Sequence, residues 1–179
     1  QNKNEKPVEF LVNFIKNEVG SEEIKKMLSE LDNFKRLPLH YAVEQSNFKA
    51  FELLFSIYEQ NFSKLQFLHN LCIKGKNGDN FLHHAAAFSK SKEIFEFLWM
   101  KIEKLFRDKE ELKAFLLMKG KYGRNVLLRS IACQNESTSY FLFNVFLKKF
   151  NDKELVYENL LNCLTKFGSV SMHKFATEM

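Results

Sequence analysis

One short segment recurs four times along this chain, and its spacing limits the possible folds more than any other feature. The four copies cover residues 33–42, 76–86, 121–131 and 166–176. Their equivalent positions, which are 43, 45 and 45 residues apart, are His40, His83, Leu128 and His173. A constant period of this size is typical of repeat proteins, in which each unit is one supersecondary structure that stacks on its neighbours.

Each repeat carries three amphipathic segments with the spacing of α-helices. A short helix is predicted at 38–46, 81–89 and 126–134, and a longer helix at 48–60, 91–106 and 137–150. A third helical run is predicted at 21–31, 63–73, 108–118 and 152–164. Each third run opens with Ser or Asp, which cap helices by accepting a backbone N–H.

These segments divide the chain into repeats of one array that covers residues 1–179. Complete repeats are predicted at 33–75, 76–120 and 121–165, with partial repeats at 1–32 and 166–179. Exposed repeat arrays normally end in capping repeats, and neither end resembles one. The chain also does not begin with Met. We therefore expect it to be a fragment of a longer protein.

The composition favours helices with a substantial core. The chain has only 6 Gly and 2 Pro, whereas an all-β fold needs a turn roughly every 8–12 residues. Hydrophobic residues make up 45% of the chain, and 20 residues are Phe. Phe48, Phe51 and Phe55 fall at helical spacing, which indicates core packing rather than stacking on nucleic-acid bases. We predict an all-α fold.

The recurring segment resembles the ankyrin repeat motif G-x-T-P-L-H-x-A-A, most clearly at Gly78–Ala86 and also at Leu37–Ala42. The motif Thr is replaced in every copy, Lys35 stands at one Gly position, and Leu128 at one His position. The period also exceeds the ankyrin length of about 33 residues by one short helix. HEAT and armadillo repeats have longer periods and are the rival assignment, but they lack the Gly-x-x-x-Leu-His element.

The ankyrin resemblance implies an α-solenoid with an additional short helix per repeat. In that family the motif His bridges the turn backbones of neighbouring units, the Gly allows a positive φ in the turn, and the Pro starts the short helix. The residues to which these structural roles are carried over are Pro38, His40, Gly78, His83, Gly123, Gly168 and His173.

The sequence contains no pattern that predicts catalysis, a metal site or a cofactor. Adjacent carboxylates occur where a helix dipole favours them, and no Gly-rich phosphate loop or nucleophile motif occurs. Cys72, Cys133 and Cys163 lack metal-site spacing and are expected to be reduced thiols. His69 and His84 are expected at the surface or in a groove. We predict that the chain is not an enzyme and is cytoplasmic or otherwise intracellular.

Arrays of this kind bind other proteins through their turn tips and the inner face of their short helices, which together form an extended concave surface. The predicted contact residues are Asn33, Phe34, Arg36, Glu44, Gln45, Lys76, Asn77, Asp79, Phe88, Lys121, Tyr122, Arg124, Lys166 and Phe167. Aromatic residues and Arg dominate binding hot spots, and lysine recurs at one turn position. The predicted partner is therefore another protein that contributes an acidic segment.

Other roles are compatible with the same sequence. The array is also typical of the cytosolic region of an ion channel, the targeting region of a larger effector, toxin or enzyme, or a passive spacer. Nucleic acid is not an expected partner, because no block of like charges accompanies the net charge of +5. No apolar run approaches the roughly 18 residues that a membrane span needs. The sequence does not predict an oligomeric state.

Overall fold

A computed structural model describes residues 10, 14–15, 17–151, 153–154 and 157–158. This described part is all-α, with nine α-helices and no β-strand, as the composition predicts. The helices are α1 Ser21–Ser29, α2 Pro38–Glu44, α3 Phe48–Asn61, α4 Lys64–Cys72, α5 Phe81–Phe88, α6 Lys92–Glu103, α7 Lys109–Leu116, α8 Val126–Ala132 and α9 Glu136–Asn144. A 3-10 turn, Lys121–Gly123, precedes α8, and a π-helical turn, Val145–Lys149, continues α9.

Side chains that accept backbone N–H groups set the starts of several helices. Asn80 accepts from His83 at 3.1 Å, and Asn125 accepts from Leu128 at 2.9 Å. These asparagines occupy the position of the motif Thr, and the hydrogen bond explains how the chain does without it. Ser63 and Asp108 cap α4 and α7 as the sequence predicts.

The cap predicted at Ser21 is wrong. Gly20 occupies the cap position, and Ser21 is the first residue of α1. The Ser21 hydroxyl instead donates to Asn61 Oδ1 at 3.1 Å. The predicted run at 152–164 lies almost wholly outside the described residues.

Helices at equivalent positions contact one another. The short helix α5 packs against α2 on one side and α8 on the other, and the longer helix α6 contacts both α3 and α9. Phe51, Phe55, Phe81, Phe95 and Phe146 are fully buried between these elements. The phenylalanine at helical spacing therefore forms the core.

Hydrogen bonds also join neighbouring units where the short helices end. The Lys90 N–H donates to Ser46 Oγ at 3.1 Å. One unit further along the chain, Asn135 Nδ2 donates to the carbonyls of Ala86 at 3.0 Å and Ser89 at 2.7 Å. Since these bonds fix the ends of α2, α5 and α8, the turns that precede the same helices are held in register.

A membrane-spanning helix is not found among the residues that the structure describes, since none of their helices is both long and apolar enough.

Candidate functional site

The turns before the short helices lie side by side, and we call them the turn edge, residues 32–37, 74–80 and 119–125. Each turn has one equivalent residue in the left-handed region, with φ of +59° at Lys35, +85° at Gly78 and +69° at Gly123. Glycine adopts this conformation without steric cost, whereas lysine does not. The left-handed conformation therefore occurs at the equivalent position of all three turns, even where the Gly is missing, and the third turn has a second left-handed residue at Tyr122.

Hydrogen bonds of the backbone and of side chains connect consecutive turns. The Lys76 N–H donates to the Phe34 carbonyl at 3.2 Å. The Lys121 N–H donates to Asp79 Oδ1 at 2.7 Å. The Lys74 ammonium donates to the Lys119 carbonyl at 2.9 Å. The three turns are consequently one continuous surface.

The motif histidines differ in how they contact the next turn. His83 Nε2 donates to the carbonyls of Met118 at 2.9 Å and Arg124 at 3.1 Å, which is the bridge that the resemblance implies. His40 Nδ1 accepts from the Leu37 N–H at 3.0 Å. Its ring meets the next unit edge-on, with its centroid 5.0 Å from that of Phe81.

The first turn holds a polar network around Arg36. Its guanidinium pairs with Asp32 at 2.9 Å and with Glu44 at 3.1 Å, and it lies 4.9 Å from the centroid of the Phe34 ring. Although burial opposes the effect, hydrogen bonds from Tyr41 and Arg36 hold the pKa of Asp32 well below its usual range. The Asp32 carboxylate is therefore charged, and the carboxylates of Asp32 and Glu44 are both paired with Arg36.

The second turn contains a buried ion pair. Arg129 Nε lies 2.7 Å from Asp79 Oδ2, and Asp79 is only 3% exposed. The other Asp79 oxygen accepts the Lys121 N–H. Asp79 thus links α8 to two turns and has no free carboxylate for a partner, so its predicted place among the contact residues is wrong.

The third turn projects an aromatic ring into solvent. Tyr122 is 72% exposed and has a φ of 58°, which is uncommon for a residue other than glycine. The Lys121 ammonium lies 4.9 Å and the Arg124 guanidinium 5.0 Å from its ring centroid. Cation–π contacts of this kind position the ring between two cations.

The charge along the turn edge is unbalanced. The carboxylates of Asp32, Glu44 and Asp79 each lie within 3.1 Å of an arginine nitrogen. The lysines of the edge that form no ion pair with another described residue are Lys35, Lys74, Lys76, Lys119 and Lys121. Since the acids are internally neutralised, the edge presents a net positive charge to solvent.

A cleft of about 210 Å³ opens between the first two turns and α5. It is lined by Phe34, Arg36, His40, Glu44, Gly75, Lys76, Asn77, Asp79, His84 and Phe88. Six of these residues are in the predicted contact set and are still solvent-accessible, so the cleft is the part of the turn edge where that set comes together.

His84 lies at the base of this cleft and is 6% exposed, so of its two predicted places, the surface or a groove, it occupies the groove. Every residue from Phe81 to Ala87 is buried, because α5 is covered by both α2 and α8. His84 Nε2 lies 3.1 Å from Glu44 Oε1, but it is not aligned for a hydrogen bond with any described atom. Burial and the His40 ring lower the pKa of His84 to about 3. Burial outweighs the Asp79 carboxylate, which acts in the opposite direction and raises the pKa of His84.

The remaining predicted contact residues fall into three groups. Asn33, Phe34, Gln45, Lys76, Asn77, Phe88 and Tyr122 are exposed. Arg36, Glu44, Lys121 and Arg124 are half-buried. Lys166 and Phe167 lie outside the described residues, as do the motif residues Gly168 and His173.

Sequence reasoning missed three residues that hold the turn edge together, namely Gly75, Gly120 and Arg129. A Cβ added at Gly120 would lie 2.6 Å from Asp79 Oδ1, so only glycine fits there. Gly75 and Gly120 occur in the recurring tripeptide Lys-Gly-Lys, 45 residues apart, which is the signal that could have identified them. No comparable signal marks Arg129.

The described residues contain no group of three or more His, Cys, Asp or Glu side chains that could hold a metal ion.

Comparison with known proteins gives a similarity of fold. No protein-family model and no curated protein sequence matches the chain. Two chains of solved structures match it. One belongs to the crystal structure of the yeast ribosomal protein Rps3 in complex with its chaperone Yar1, with a TM-score of 0.60 and 16% identity. The match covers 81% of this chain and 85% of that chain. At this identity the likeness concerns the fold alone.

Proposed function

We propose that this chain is an α-solenoid of ankyrin-like repeats that binds an acidic segment of another protein along its turn edge. One observation carries the proposal: hydrogen bonds join three consecutive turns into one surface that bears unpaired lysines and exposed aromatic rings. An extended segment that crosses this surface would meet a lysine at each turn and an exposed aromatic ring at the first and third turns.

The solenoid assignment is supported by contacts that repeat from one unit to the next. Equivalent helices touch in order, from α2 to α5 to α8. The Gly position of the motif has a positive φ in all three turns, and His83 makes the bridge expected of the motif histidine. The additional helix of each long repeat corresponds to α4 and α7, which run from the longer helix back to the next turn.

The preference for an acidic partner follows from charge. The edge acids are paired with arginine, whereas Lys76, Lys119 and Lys121 have no carboxylate partner among the described residues. A segment with Asp or Glu would complete these pairs, and each exposed pair contributes about 0.2–1 kcal/mol. Complementary charge of this kind also accelerates association at low salt.

The exposed rings supply the rest of the contact. Phe34 is 60% exposed and Tyr122 is 72% exposed, so both offer large apolar area that is free in the described structure. Aromatic residues of this kind form the hot spots of protein interfaces. The structure with the similar fold is itself a complex of two proteins, Rps3 and its chaperone Yar1, which supports a protein as the class of ligand.

The proposal can be tested by selecting ligands and then removing the edge charge. The intact chain is used to select binders from a random peptide library, and the dissociation constants of the selected peptides are measured by fluorescence anisotropy. We expect the selected peptides to be rich in Asp and Glu. Lys76→Ala/Lys121→Ala should weaken their binding roughly 2- to 30-fold, since two exposed pairs are lost.

A second double variant controls for the loss of charge itself. Lys64→Ala/Lys109→Ala removes two exposed, repeat-equivalent lysines at the starts of α4 and α7. Nine residues of α4 separate its start from the turn edge, a distance of roughly 13 Å. Equal weakening by both double variants, or selection of neutral peptides, would contradict the proposal.

A further inference from the structure

We propose that the cleft between the first two turns binds one tyrosine side chain of the partner segment, with the tyrosine hydroxyl hydrogen-bonded to His84 Nε2. This inference rests on the proposed function and names the side chain that the partner must supply. It starts from a buried polar atom at the base of the cleft that forms no hydrogen bond with a described residue.

His84 Nε2 is buried and has no hydrogen-bond partner among the described residues. Buried polar atoms are nearly always paired, so each exception calls for an explanation. The ring is held in place by aromatic contacts, with its centroid 4.8 Å from that of His40 and 4.7 Å from that of Phe88. The nitrogen therefore cannot turn toward solvent, and a group that enters the cleft would complete its bonding.

The size of the cleft fits one aromatic ring. Its volume is about 210 Å³, and an apolar cavity of roughly 150 Å³ is enough to hold benzene. Phe34 and Phe88 line the cleft and are 60% and 41% exposed, so they offer apolar faces to an incoming ring.

The polar groups in the cleft suit an uncharged hydroxyl group. Arg36 is paired with Glu44 and Asp79 is paired with Arg129, so among the described lining residues the unpaired charge is that of Lys76, which would repel a lysine or arginine side chain. Because burial lowers the pKa of His84 to about 3, its imidazole is neutral near pH 7. A hydroxyl both donates and accepts, so it suits either tautomer of a neutral imidazole. Tyrosine combines the ring with the hydroxyl, whereas phenylalanine would leave Nε2 unpaired.

The test uses p-cresol as the probe, because it is the side chain of tyrosine without a backbone. It is titrated into the intact ¹⁵N-labelled chain, and the imidazole nitrogen resonances are recorded by NMR. We expect a saturable shift of the His84 Nε2 resonance at millimolar p-cresol. Toluene, which lacks the hydroxyl, should bind roughly 2- to 10-fold more weakly, as for the loss of one hydrogen bond.

Two variants locate the probe. Phe88→Ala removes one wall of the cleft at an exposed position and should weaken p-cresol binding, while Leu65→Ala, 78% exposed on α4, should leave it unchanged. Equal affinity for toluene and p-cresol, no saturable His84 shift, or no effect of Phe88→Ala would overturn the proposal.

Selected acidic peptides separate this inference from the proposed function. Replacing tyrosine by phenylalanine in such a peptide should weaken binding to the wild-type chain and have less effect on the Phe88→Ala variant. If acidic peptides bind the turn edge but p-cresol does not enter the cleft, the tyrosine pocket is wrong while the edge remains. If p-cresol binds and no acidic peptide does, the proposed function is wrong.

Discussion

Gly120→Ala tests whether the turns are packed as tightly as the hydrogen bonds indicate. The added Cβ would lie 2.6 Å from Asp79 Oδ1 and 2.7 Å from His83 Cδ2. Neither side chain is free to move, because Asp79 is paired with Arg129 and His83 is bonded to two carbonyls of the next turn. The clash must therefore separate the second turn from the third.

The loss of stability has two sources, the steric clash of the added methyl group and the hydrogen bond that the clash breaks. Forcing an extra methyl into a packed site costs about 1–3 kcal/mol. Breaking the bond from the Lys121 N–H to Asp79 leaves a part-buried donor unpaired, which adds about 1–3 kcal/mol. We expect the free energy of unfolding to fall by roughly 3 kcal/mol. For a chain of this size, such a loss lowers Tm by roughly 6–12 °C.

Gly20→Ala is the matched control. No atom lies within 4 Å of a Cβ added at Gly20, and its φ of −66° and ψ of 149° suit alanine. Because alanine is a poorer helix N-cap than glycine, the free energy of unfolding of this variant should fall by no more than about 1 kcal/mol. Both variants are measured by urea denaturation followed by far-UV circular dichroism. If Gly120→Ala is as stable as Gly20→Ala, the turns are not fixed against each other and the continuous edge is refuted.

Three further predictions concern stability. Arg129→Met leaves the buried Asp79 carboxylate without its counter-ion and should lower the free energy of unfolding by about 3–5 kcal/mol, as measured by urea denaturation. The control is Lys92→Ala, which removes an exposed pair with Glu96 and should cost roughly 1 kcal/mol or less. If Arg129→Met costs no more than this control, the buried pair does not stabilise the fold. Lys35→Gly removes a lysine from a φ of +59° and should raise the free energy of unfolding by about 0.5–1 kcal/mol, so a lower Tm would argue against the turn conformation. Burial lowers the pKa of His40 to about 4 and that of His84 to about 3, so between pH 6.5 and pH 4 the unfolded chain binds protons that the folded chain does not. The free energy of unfolding is therefore highest above pH 6.5, and we expect it to fall by about 4 kcal/mol between pH 7 and pH 5. Urea midpoints that do not change over this range would refute the burial of the two rings.

The helices could be predicted from sequence because their determinants are local. The hydrophobic spacing, the polar caps at Ser63 and Asp108 and the low number of turn residues all act within one helix or its ends. The error at Ser21 has the same origin. Gly20 provides an acceptable cap one residue earlier, and the Ser21 hydroxyl finds a partner on α3 that no local pattern reveals.

The properties of the candidate site depended on residues that are far apart in the chain. His84 is buried because α2 and α8 cover both sides of α5. Asp79 is withdrawn from the surface by Arg129, 50 positions further along. Such contacts depend on the distance and rotation between stacked units, which no single repeat encodes. The sequence by itself determined where helices and turns form, and only the stacking of the units decided which turn charges are neutralised and which remain exposed.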